Sequence, residues 1–326
     1  VTIYRDLTDR HPDRHRPNLA TSLTNLGIWY SKLGQPDQAL SPALEAVDIR
    51  RELADRHPDR YRPDLAASLT NLGVRYSALG QPDQALPLTL EAVTIYRDLT
   101  DRHPDRHRPD LAASLSNLGV FYSALGQPDQ ALPPTLEAVD IRRELADRHP
   151  DRHRPDLAAS LSNLGVFYSA LGQPDQALHP TEEAATVYRG LTERHPDRYR
   201  PDLADSLTNL GARYSALGQP GQALLAELEA VTIYRELTKR HPDRYRPGLA
   251  ASLTNLGIRY SELGQPDLAL PPTLEAVTIR RELTKRHSDR YRPDLAASLT
   301  NLVITYRELG DEEGTKQASA ELATLE

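Results

Sequence analysis

The chain has 326 residues, 39% of them hydrophobic and 26% charged, with a net charge of −7 spread evenly along it, a composition of folded rather than disordered protein. No basic patch marks a nucleic-acid surface, no apolar run approaches the ~18 residues of a membrane span, and no charged-then-apolar leader opens the chain. Cysteine is absent, which removes disulfides, thiolate metal sites and cysteine nucleophiles and suits a cytoplasmic protein; methionine is absent too, position 1 included, so a piece of a longer chain is expected.

Taken in chain order, residues 1–16 form a partial repeat, because Val1-Thr2-Ile3-Tyr4-Arg5 matches the segment from Val93 to Arg97. Six full repeats fill residues 17–292. Asn-Leu-Gly recurs in them at Asn25, Asn71, Asn117, Asn163, Asn209 and Asn255, at a constant step of 46 residues. A seventh copy at Asn301 has lost its Gly, and residues 293–326 read as a last first helix followed by a charged capping helix. Self-similarity at a fixed period of this length marks a stacked array.

Within the unit Pro63 to Arg108, Pro63 and Asp64 are expected to open a first helix. Its apolar stripe is Leu65, Leu69, Leu72, Tyr76 and Leu79, a helical spacing. Gly80 suits the left-handed residue after that helix, and Pro82-Asp83 opens the second. The second stripe is Ala85, Thr89, Ala92, Tyr96 and Leu99, with Leu86, Leu90 and Val93 beside it. Two apolar rows imply burial on two sides, as between stacked hairpins. His103-Pro104-Asp105-Arg106 reads as a turn into the next unit. Pro42, Pro87, Pro133, Pro134, Pro180, Pro271 and Pro272 fall inside second helices, where a kink or a tightened first turn is expected.

Leu69, Leu72-Gly73, Tyr76, Gly80, Ala85 and Ala92 together resemble the tetratricopeptide repeat. Gly73 stands where that family places a small residue for close helix approach; Val303 departs from this, and Thr89 replaces the family's large aromatic. The basic repeat is ~34 residues, so the longer period implies longer helices and a longer inter-repeat turn. The Asn-Leu-Gly, internal Pro and His-Pro-Asp elements resemble the kinesin light chain subclass and bacterial signalling proteins that carry such arrays. The resemblance implies an all-α, right-handed superhelical solenoid of antiparallel helix hairpins, with first helices lining a concave groove.

On the first helix, Ala67, Asn71, Val74 and Ala78 lie opposite the core stripe, and none is charged. By resemblance this face lines the groove. Asn25, Asn71, Asn117, Asn163, Asn209, Asn255 and Asn301 then form a ladder of amides able to donate to and accept from a peptide backbone, or else face neighbouring helices or water. The adjacent column holds Trp29, Arg75, Phe121, Phe167, Arg213, Arg259 and Thr305. It could read an acidic or apolar ligand, but wedging against the neighbouring hairpin is the preferred reading. Arg-rich turns such as Arg102 to Arg108 carry interleaved Asp and read as a self-paired surface; His103 and His107, or His149 and His153, lack a third metal ligand.

No metal or cofactor is expected. Gly310 to Lys316 lacks the spacing of a phosphate loop, and Ser77 has no His near it in the repeat. Almost everything repeats, whereas a catalytic constellation is singular, so no enzyme is expected. The leading reading is a protein- or peptide-binding scaffold, the sensor arm of a larger signalling protein. Its competitors are self-assembly through the uncapped start, where Val1, Ile3, Tyr4 and Leu7 are apolar, and a passive spacer. Neither nucleic acid nor membrane is an expected partner.

Overall fold

The computed structural model describes residues 1–325, which form fifteen α-helices and no strand. They fall into two compact units, Val1–Leu171 and the residues from Gly172 onward. The first holds α1 (Thr2–Arg10), α2 (Pro12–Lys32), α3 (Pro36–Arg56), α4 (Pro58–Ala78), α5 (Pro82–Arg102), α6 (Pro104–Ala124), α7 (Pro128–Arg148) and α8 (Pro150–Ala170). The second holds α9 (Pro174–Arg194), α10 (Pro196–Ala216), α11 (Pro220–Arg240), α12 (Pro242–Glu262), α13 (Pro266–Arg286), α14 (Ser288–Leu309) and α15 (Glu312–Ala323). In each unit every helix packs on its neighbours in sequence. No helix among the described residues is long and apolar enough to cross a membrane.

The period divides differently from the sequence reading. The first helix starts at Pro58, not Pro63, so His-Pro-Asp-Arg is a helix start and the linker between hairpins is the single residue His57, at φ −140° and ψ 71°. Pro at the first helical position loses no hydrogen bond, and Asp59 in the first turn complements the helix dipole. The residues beyond a basic repeat therefore lengthen the helices, 21 residues each, and not the inter-repeat turn. Tyr61, His107, His153, Tyr199 and Tyr291, all buried, anchor this extra turn of helix to the core.

Both helices tolerate an internal proline at the same place. Pro63 and Pro87 each sit five residues after the helix start, and α4 and α5 run through them without a break. The carbonyls that lose a donor, Asp59 and Asp83, belong to exposed residues of the first turn that water can reach.

Gly80 closes the first helix with φ +70°. Its N–H donates to the Ser77 carbonyl at 2.9 Å and the Gln81 N–H to the Tyr76 carbonyl at 2.9 Å, the paired bonds of a left-handed helix stop. A Cβ there would be strained by conformation rather than by contact, since nothing lies within 4 Å of it.

The first-unit core contains Leu65, Leu69, Leu72, Ala92, Leu99 and Leu115, with Leu69 and Leu115 fully buried; each such leucine contributes roughly 2 kcal/mol. The second row of the second helix is not all buried: Leu44, Leu90 and Leu136 in one unit, and Leu228 and Leu274 in the other, stay over a third exposed. In the second unit α15 packs on α14, with Ala318 buried against Leu302 and Val303, and the Asp311 carboxylate caps α15 by accepting from the Gly314 N–H at 2.8 Å.

Of the arginines in the segment Arg102 to Arg108, Arg102 and Arg108 are matched to acids, as are arginines along the second helices. Arg51–Glu91 (2.6 Å) and Arg97–Glu137 (2.5 Å) join successive second helices, Arg62–Asp98 (2.8 Å) and Arg108–Glu144 (2.7 Å) join the two helices of one hairpin, and Arg102–Asp59 (3.2 Å) ties a second helix back to the start of its own hairpin. The second unit repeats the pattern, with Arg235–Glu275 at 2.6 Å and Arg240–Asp197 at 2.7 Å. Exposed pairs contribute ~0–1 kcal/mol each, so they fix register more than stability.

Candidate functional site

First helices of successive hairpins touch directly, α4 with α6 and α6 with α8 in one unit, α10 with α12 and α12 with α14 in the other. Hydroxyl pairs line these seams: Thr70–Ser114 at 3.0 Å, Ser116–Ser160 at 3.2 Å, Thr208–Ser252 at 2.8 Å and Thr254–Ser298 at 3.1 Å. From a second helix, Arg142 donates to Ser116 at 2.9 Å and also reaches Ser160, and Arg50 joins Thr24 to Ser68 in the same way. Small hydroxyl residues permit the close approach, and the bonds satisfy groups that burial would otherwise penalise.

Close packing of first helices presents one asparagine per hairpin, four in the first unit and three in the second. Asn25 is exposed, while Asn71, Asn117, Asn163, Asn209, Asn255 and Asn301 are partly exposed. Beside them Val74, Val120, Val166 and Ile304 are also exposed, giving a face with apolar and amide character. Asn255 donates to Glu227 Oε1 at 3.0 Å; the other six amides make no side-chain hydrogen bond among the described residues.

The adjacent column behaves otherwise. Phe121 and Phe167 are 2% and 4% exposed and Arg75 and Arg259 are buried, so these four side chains pack inside the array rather than line its surface. Phe121 Cε2 lies 3.4 Å from the place a Cβ on Gly73 would take, Phe167 Cε2 lies 3.2 Å from that of Gly119, and Arg75 Nε lies 3.1 Å from that of Gly27. Gly27, Gly73 and Gly119 are thus the notches into which the next hairpin inserts its wedge. The Arg75 guanidinium turns back to the Asn71 carbonyl at 3.1 Å, and burial holds its pKa below the usual arginine range. Arg213, half-buried, and Arg259 turn toward the Asn209 and Asn255 carbonyls in the same manner, each at 3.4 Å, and Thr305 donates to the Asn301 carbonyl at 3.0 Å. Trp29 alone in this column is exposed, with Lys32 Nζ 5.2 Å from its ring.

Thr89 stands where the family's large aromatic was expected. It is fully buried, donates to the Ala85 carbonyl at 3.0 Å, and its Oγ1 is 2.8 Å from where a Cβ on Gly73 would stand. Two members of this column are not threonine: Ala43 and, in place of the threonine of Thr89, Thr135, Thr181 and Thr273, Glu227. Glu227 is 1% exposed, and its Oε2 has no hydrogen-bond partner among the described residues. Burial pushes its pKa up to about 8, against the opposing pull of the Asn255 hydrogen bond and the Arg259 charge. Sequence reasoning passed over it, although a carboxylate in a buried threonine column was the available signal.

Tetratricopeptide repeat models match residues 110–190 and, separately, residues 19–59, 65–105, 203–243 and 249–289. Comparison with curated proteins gives no match. Among solved structures the chain is similar to BtubC (BKLC) from P. vanneervenii, with 21% identity over 76% of this chain and 92% of that one and a TM-score of 0.61. It is similar to a putative kinesin light chain of Podosopora anserina with nearly identical repeats, at 24% identity, 69% and 98% coverage and a TM-score of 0.53. A Pyrococcus horikoshii signal transduction ATPase with a tetratricopeptide repeat sensor matches at 13% identity, 99% and 43% coverage and a TM-score of 0.65. At these identities the likeness is one of fold.

Proposed function

Because this chain belongs to the tetratricopeptide repeat family, we propose that it is a protein-binding scaffold whose first-helix face holds an extended peptide. The observation that carries the reading is the recurrence of amides without side-chain partners on a face that the hairpins repeat at fixed spacing. An extended peptide carries unpaired N–H and C=O groups at regular intervals, and an amide side chain meets either. Neighbouring Val74, Val120 and Val166 supply apolar area for its side chains. The likeness to the tetratricopeptide repeat sensor of the Pyrococcus horikoshii signal transduction ATPase supports a sensor role, with this chain as the recognition arm of a larger cytoplasmic signalling protein. Function of this kind needs no catalytic group.

The test replaces Asn71, Asn117 and Asn163 together with Ala. Wild-type and variant chains are immobilised, partners captured from the source lysate are identified, and the affinity of each purified partner is measured. The reading expects at least tenfold weaker capture by the variant with an unchanged melting temperature. Equal affinity for both chains would remove the amide ladder.

A further inference from the structure

We propose that the second unit contains a side-chain pocket for a lysine or arginine of the bound peptide, with Glu308 as its anionic wall. This rests on the groove reading and adds a specificity to it. Two departures from the repeat fall at one place. The wedge column, Arg or Phe in the hairpins from Arg75 to Arg259, shrinks to Thr305. Where Phe121 fills the notch over Gly73, the corresponding notch over Gly257 is met by Thr273 and the Ala269 carbonyl. A cavity of about 290 Å³ remains, bounded by Gly257, Thr273 and Thr305. That is at the lower edge of ligand-pocket volumes and suits one long side chain better than a small molecule.

The second departure is electrostatic. The position held by Ala78, Ala124, Ala170 and Ala216 becomes Glu262 and Glu308 in the last two hairpins, and both line this cavity. Glu262 is already engaged, by Arg259 at 3.0 Å and by the Ser215 hydroxyl at 2.7 Å. Glu308 has no ion pair or hydrogen bond among the described residues. Ile258 and Ile304 give the walls an apolar stretch, and Asn301, a rung of the ladder, lines the same opening. Apolar walls ending in a free carboxylate match a side chain with an aliphatic stem and a cationic head. The pocket opens beside Asn301, so a peptide lying along the ladder can insert one side chain there.

The experiment selects a displayed random dodecapeptide library on the wild-type chain, on E308Q, and on a variant with Asn209 and Asn301, rungs of the same unit, changed to Ala. The expected result is a lysine or arginine enriched at one fixed position by wild type, with E308Q still enriching peptides but without that preference. The strongest peptide is then synthesised with its basic residue intact or replaced by norleucine, and binding is read by fluorescence anisotropy. E308Q should weaken the basic peptide about tenfold, ~1.4 kcal/mol, and leave the norleucine peptide unchanged. T305F, which fills the cavity as Phe121 does, should remove the basic preference while circular dichroism stays unaltered. Enrichment with no fixed basic residue, or an equal effect of E308Q on both peptides, overturns the pocket and leaves the groove standing. No enriched peptide at all, or peptides indifferent to the asparagine changes, overturns the groove and the pocket with it.

Discussion

Glu227 offers the sharpest energetic test of the packing between hairpins. Its carboxyl holds a proton up to about pH 8 in the folded chain, whereas an unfolded glutamate loses it near ~4.3. Between these values the folded state binds more protons than the unfolded state, so stability falls as pH rises. At ~1.4 kcal/mol per pH unit, the loss reaches about 3–4 kcal/mol at pH 7 and roughly 5 kcal/mol above pH 8. Glu227 faces Asn255 and Arg259 on α12, the notch of Gly211 on α10, and the Tyr234 hydroxyl on its own helix. E227Q keeps the shape and the Asn255 bond without the titration. Urea unfolding of both chains at pH 5, 7 and 8.5, followed by circular dichroism, should give matching curves at pH 5. At higher pH the wild type alone should weaken. If E227Q showed the same slope with pH as wild type, the buried carboxyl would not be the source and the argument would fail.

Further outcomes follow from the wedge and its notch. F121A should destabilise by about 3–5 kcal/mol in urea melts, the cost of emptying a buried aromatic site; an effect under ~1 kcal/mol would return Phe121 to the surface. G119A should cost ~1–3 kcal/mol, because its Cβ would collide with the Thr135 hydroxyl and then meet the Ala131 carbonyl and the Phe167 ring, both at 3.2 Å. G190A, with nothing within 4 Å, should instead stabilise by ~0.5–1 kcal/mol through helix propensity. Burial holds the His107 and His153 pKa values below the usual histidine range, aided by Arg106 and Arg152 and opposed by Asp110 and Asp156. The unfolded chain therefore takes up protons first, and stability drops as pH falls through ~6.5. The double change H107Y and H153Y, which installs the residue of Tyr61 and Tyr199, should remove this acid loss and raise the melting temperature at pH 5 relative to pH 7.5 by comparison with wild type; an unaltered pH profile would count against it.

Repetition made the fold readable. A stripe of Leu65, Leu69 and Leu72, a Gly80 stop and a Pro82 start are local signals, and each is set by the chain's own backbone chemistry. The reading of His-Pro-Asp-Arg as a turn failed because proline and aspartate serve equally in turns and in first helical turns. What decides between them is whether the following residue can be buried. Tyr61 and His107 are buried, and ring contact of His107 with Tyr96 at 6.5 Å shows what holds the added turn.

The candidate site divides along the same line. Periodicity placed the asparagines on one face of each first helix and the column of Arg75, Phe121 and Phe167 next to it, since positions four apart share a face. No property of the single helix says whether a side chain at the edge of that face meets water or a neighbour. The next hairpin settles it, by presenting or filling a glycine notch, and so turns Phe121 inward while leaving Trp29 exposed at 62%. The period, the helix faces and the amide column are legible along the chain, because these depend on residues close together in sequence. Tertiary structure alone decided which of those faces stay open, where the Thr305 cavity lies and that Glu227 is buried, because each depends on atoms brought close by the stacking of hairpins one period apart.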